Sequence, residues 1–207
     1  MTWIEYLEAV TNLLTAMATL FGVGFAVYGI NAWRREFVGK RKIEVAEDAL
    51  ALFYEVSDAV EAIRSPISSG AETEHIERWE GESDQRFHAR KQAAVVYSRY
   101  EKRSELFSRW YAMRYRFMAQ NGAEHGKSFD DLQTITRRVL AAAHTLSALW
   151  ARDHFRTKEQ REAHYDRVEK YEAIFWNMGG DEDSIKAEIQ AVVSKFEDSC
   201  RKIISRK

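Results

Sequence analysis

The chain has 207 residues, with 31 Lys and Arg against 32 Asp and Glu, a formal net charge of −1. That balance supplies no global field for a nucleic acid partner. The single cysteine, Cys200, excludes an internal disulfide and suits a reducing compartment. Proline occurs once, at position 66, and 30% of residues are charged, a composition of long helices.

Residues 1–8 hold Trp3 and Tyr6 and end on Glu8. Residues 9–33, AVTNLLTAMATLFGVGFAVYGINAW, contain no charge and show no polar face, where a helix of a soluble bundle normally shows one. Leu13 to Trp33 alone reaches roughly 31 Å as a helix, about the hydrocarbon thickness of a bilayer. Its eight large apolar residues contribute roughly −3 to −4 kcal/mol to insertion, which Thr15, Thr19, Asn31 and three glycines erode. Trp3 and Tyr6 before the run, and Tyr28 and Trp33 at its end, have the amphipathic rings that favour headgroup zones. No basic n-region precedes the run and no A-x-A site closes it, so a transmembrane helix is expected over a cleaved signal.

Arg34, Arg35, Lys40, Arg41 and Lys42 follow within nine residues, whereas no Lys or Arg precedes them. Positive-inside bias then predicts a single-pass protein with residues 1–8 outside and the remainder cytoplasmic, at a bacterial plasma membrane. These cations also suit anionic headgroups of the lipid bilayer. Ala18, Gly22, Ala26 and Gly29 put small residues on one face of the span, a surface on which a second copy could pack to form a homo-oligomer.

Residues 34–207 are expected to form one all-α domain, a bundle of about five helices. Over 34–64, Ile43, Ala46, Leu50, Phe53, Ser57 and Val60 recur at helical steps, predicting a juxtamembrane amphipathic helix with Gly39 as its one kink point. It should end before Pro66. Residues 65–84 form an acidic loop with six acids and one arginine, in which Trp79 is expected to fold down on its own domain.

A helix over about 85–120 carries nine basic and two acidic residues between Arg86 and Arg116. Lys91, Lys102, Arg109 and Arg116 form a stripe, with the aromatics mostly on the other side. A base-stacking groove would want both on one face. The segregation instead predicts a core helix, with Arg103 and Arg114 partly buried against acids such as Glu47, Asp48 or Glu55.

After the turn Asn121–Lys127, Ser128 with Asp131 predicts a capped helix to about Phe155. Thr157 with Gln160 starts the next, which uses Val168, Tyr171, Ile174, Phe175 and Met178 and stops at Gly179-Gly180. Asp181 or Asp183 caps the last helix, whose face is Ile185, Ile189, Val192, Phe196, Cys200 and Ile203 and whose tail ends on Arg206 and Lys207.

The sequence contains no Gly-rich phosphate loop, no metal-ligand spacing and no nucleophile elbow, so no cofactor, metal or catalytic residue is assigned. Arg137 and Arg138 precede His144 by seven and six residues, across RRVLAAAH. An Arg followed by a His after four to six residues resembles the signature of the helical HEPN ribonuclease superfamily, in which two protomers bring the pair together to cleave RNA. The resemblance covers only these residues, and Val139 replaces the polar residue that often follows the Arg. The leading expectation is a non-enzymatic, membrane-anchored interaction or scaffold module with an unidentified protein partner. A HEPN-like ribonuclease using Arg138 and His144, or a nucleic-acid-binding module on residues 86–116, stands as the alternative.

Overall fold

The computed structural model describes residues 3–152, 154–177 and 183–205. These residues are all-α: α1 Trp3–Ile63, α2 Asp84–Glu101, α3 Ser104–Asn121, α4 Lys127–Leu149, α5 Lys158–Phe175 and α6 Ser184–Ile204. Short 3-10 turns occupy Gly70–Thr73 and Ala123–Gly126. The chain divides into two units, residues 1–44 and 45–207.

The first unit is helical throughout its described part, Gly39 included. The apolar stretch of α1 is long enough to cross a membrane by length and composition, with a mean hydropathy of 1.8 over its most apolar window. None of that window is buried. Thr11, Thr15 and Thr19 each donate to the carbonyl four residues back, at 2.9, 2.8 and 2.8 Å. Their hydroxyls are therefore satisfied within the helix, which lowers the cost that threonine brings to an apolar environment.

The second unit is built on an aromatic hub. Phe53 of α1 stacks on Phe196 of α6 with centroids 4.1 Å apart, and meets Phe129 of α4 edge-on at 5.0 Å and Trp110 of α3 at 5.9 Å. Phe117 closes the cluster against Phe129 and Phe196. Val45, Ala46, Ala49, Val56 and Val60 extend the α1 stripe into the core, and Leu132, Val139, Ala142 and Leu146 do so for α4. Such periodic burial, rather than propensity, stabilises these helices.

Several boundaries differ from those expected. The 85–120 helix is two helices, broken at Lys102–Arg103. Arg103 leaves helical geometry at φ −111°, ψ 14°, with no glycine or proline to announce it. The cause is tertiary: α2 packs on α4 and is tied to the 65–72 segment by Arg99, while α3 buries Phe107, Trp110 and Phe117 in the core. A single rod would not meet both demands. The expected Ser128–Asp131 cap is not used, because the Ala123–Gly126 turn feeds straight into α4 and Ser128 is buried in its first turn. Gly126 fits there because a Cβ would lie 2.7 Å from the Met118 sulfur. Helix α4 ends at Leu149, short of Phe155. Thr157 and Asp183 cap as expected: Gln160 N donates to Thr157 Oγ1, and Ile185 N and Lys186 N donate to Asp183 Oδ1. Met178, Gly179, Gly180, Asp181, Arg206 and Lys207 lie outside the described residues.

Candidate functional site

The first candidate is the apolar helix in the unit 1–44. Trp3 and Tyr6 stack at 6.3 Å at one end, and Trp33 stacks on Phe37 at 5.8 Å at the other. Tyr28 is exposed one turn before Trp33. Lys40 pairs with Glu36 at 2.8 Å and Arg41 with Glu44 at 3.3 Å along the helix. Arg34, Arg35 and Lys42 are exposed and have no ion pair among the described residues. Three of the five basic residues are thus left without an ion pair among the described residues. Ala18, Gly22, Ala26 and Gly29 are all exposed, and a Cβ added at Gly22 or Gly29 would meet nothing within 4 Å.

The second candidate is the basic stripe of the aromatic helices. Arg109 reaches Glu55 at 3.1 Å and Arg116 reaches Asp48 at 3.4 Å, so these two cations lie against acids of α1. The assignment expected for Arg103 and Arg114 is corrected by the same geometry. Arg103 donates to the Arg99 carbonyl, and Arg114 grips Asp130 of α4 through two bonds of 2.9 and 3.0 Å. The acids of α1 face the stripe, not the aromatic sector, because Arg114 points toward α4. Not all the aromatics are core: Tyr115 is exposed, and Tyr97 lies at the surface with its hydroxyl on the Leu140 carbonyl at 2.8 Å.

Two buried arginines were not singled out by sequence. Arg99 is buried and spends its whole guanidinium on the acidic loop and the end of α1. It donates to Glu72 Oε1 and Oε2 at 3.0 Å each and to the carbonyls of Ile63, Ser65 and Ile67 at 3.2, 2.6 and 2.6 Å. Those bonds hold the Glu72 carboxyl below its usual range, against the opposing effect of burial. Arg64 closes α1 in the same manner against α5 and α6. The signal available was position: Arg99 follows Ala89, Ala93 and Val96 on one stripe, and Arg64 adjoins Ile63 at the end of another.

The loop itself is tied down. Arg90 chelates Glu82 at 2.9 and 2.7 Å, donates to the Glu77 carbonyl at 2.7 Å, and lies 4.1 Å from the Trp79 ring centroid. Trp79 therefore folds back on its own domain, though the residue stays 56% exposed. Arg90 is the main cause that holds the Glu82 carboxyl down at about 2.

Arg138 is exposed and hydrogen-bonded to Glu188 of α6, and His144 is exposed farther along α4. Cys200 is fully buried, and burial pushes its thiol up to about 12, the state of a packing residue rather than a nucleophile. Among the described residues no group of His, Cys, Asp and Glu has metal-binding geometry. No family model matches the chain, and neither a curated protein nor a solved structure matches it.

Proposed function

We propose that this chain is a single-pass, membrane-anchored helical scaffold. In this reading residues 9–33 cross a bacterial plasma membrane, residues 1–8 face outside, and the domain that follows is presented at the cytoplasmic face to a protein partner. The observation that carries it is an apolar helix none of whose most apolar window is buried, bounded by aromatic pairs and followed by basic residues. Leaving so much apolar surface in water would be costly, at about 25 cal/mol per Å², and the satisfied Thr11, Thr15 and Thr19 hydroxyls remove a further cost inside lipid.

The face bearing Ala18, Gly22, Ala26 and Gly29 is the reading's contact between two spans. Sedimentation of the detergent-solubilised full chain beside a G22I/A26I variant tests this part. Dissociation of the variant supports the contact. Equal association in both places the interface elsewhere, or nowhere if both are monomeric. Material that co-purifies with the full chain identifies the partner. The pairing of Arg109 and Arg116 with α1 acids weighs against the nucleic acid reading, and the engagement of Arg138 by Glu188 weighs against the ribonuclease.

A further inference from the structure

A cleft of about 630 Å³ opens where the chain enters α5. His154, Phe155, Arg156, Thr157, Lys158, Arg161 and Tyr165 line it, and among the described residues no carboxylate does. That volume is within the range of small-molecule sites. Its back wall is packed: Phe155 sits 4.8 Å from the buried ring of His164 and 6.4 Å from Tyr165, and Arg152 lies 5.2 Å over the Phe155 ring.

Two nearby acids, Glu159 and Glu162, are otherwise engaged. Glu162 takes Lys158 at 3.4 Å. Glu159 turns to the backbone amide and Thr157 hydroxyl at the start of its own helix, which hold its carboxyl below the usual range. Arg156 and Arg161 are left with no carboxylate partner among the described residues. The surroundings carry a positive field as well. Burial first, and then the charges of Arg152 and Arg167, push the His164 imidazole below its usual range.

We infer that this cleft is an anion site that holds a phosphate ester through Arg156 and Arg161. A guanidinium presents paired donors in a plane that matches phosphate oxygens, and two of them line this cleft with no carboxylate partner among the described residues. Tyr165 adds a hydroxyl and an aromatic face at the rim. The room beyond one phosphate group fits an organic substituent, so the ligand class is a phosphorylated small molecule or the phosphate headgroup of a lipid. The site is independent of the scaffold reading.

The test uses the full chain in phosphatidylcholine nanodiscs, titrated calorimetrically with pyrophosphate and, separately, with short-chain phosphatidic acid. The R156A/R161A variant is the comparison. Both side chains are exposed, so the variant should keep the parent's helical signal and Tm. Saturable pyrophosphate binding that weakens about tenfold or more in the variant assigns a free phosphorylated ligand. Binding of phosphatidic acid alone, weakened equally, assigns a headgroup. Absence of saturable binding to both probes, or binding that the variant leaves unchanged, overturns the proposal.

Discussion

Arg64 and Asp183 meet 2.9 Å apart in the core of the second unit, with side-chain exposures of 0% and 3%. Arg64 also donates to the carbonyls of Ile174, Ala173 and Trp176 at 2.8, 3.1 and 2.8 Å, which are the carbonyls at the end of α5. Asp183 simultaneously caps α6. One ion pair thus fastens the end of α1 to the end of one helix and the start of another. The cation at a helix C-terminus and the anion at an N-terminus both agree with the helix dipoles.

Breaking this pair by removing one partner strands a buried charge. Arg64→Met and Asp183→Ala should each destabilise the domain by about 3–5 kcal/mol, and the double variant by less than the sum of the two. Urea unfolding followed by far-UV circular dichroism checks both. Additive losses would show that the two side chains do not act as a pair.

The same pair responds to acid. Burial raises the Asp183 carboxyl, but Arg64 and the two α6 amides outweigh it and hold it below the usual range. A carboxyl depressed on folding contributes stability above its unfolded pKa, and that stability is lost as pH falls through the folded value. Glu82 follows the same sign, from 4.5 unfolded to about 2 folded, so its contribution disappears between those limits. Glu82→Gln should flatten the stability profile over that window. It should also release Trp79, read as an emission change that is absent in a Trp79→Phe background. An unchanged profile would contradict the assignment.

Arg99 clamps the acidic loop through four bonds and the end of α1 through a fifth, and lysine cannot replace a forked donor that addresses five acceptors. Arg99→Lys should destabilise by about 2 kcal/mol or more, and Arg99→Met by about 3–5 kcal/mol. In each case cleavage by a limiting protease should appear first within 65–83. Cleavage elsewhere first would show that the loop is held by other contacts.

The apolar stripes of α1, α4 and α6 were legible because each follows helical spacing over several turns, and the Thr157 and Asp183 caps because their chemistry is local. The break at Lys102–Arg103 was not. No residue there disfavours helix, and the turn is set by where Arg99 and Trp110 must sit. Phe129 escaped notice for a related reason: it lies in the first turn of α4, directly after Ser128 and ahead of Leu132, where the helical spacing of apolar residues begins. The anion cleft was equally hidden, since it depends on Glu159 and Glu162 turning toward the α5 N-terminus and Lys158. Sequence shows only a run of mixed charge there.

Cys200 makes the proposed topology accessible to thiol labelling, since its buried, high-pKa thiol is silent. In sealed cells an impermeant maleimide should modify Glu8→Cys and spare Lys42→Cys, with both modified after lysis. The reverse pattern would invert the orientation.

Residues 9–33 are proposed to lie embedded in a membrane. Alkaline carbonate extraction of membranes from cells expressing the full chain tests it most directly. The chain should stay in the pellet, and a variant with Leu14, Leu20 and Val27 replaced by Arg should be released. Release of the unmodified chain into the supernatant would contradict it.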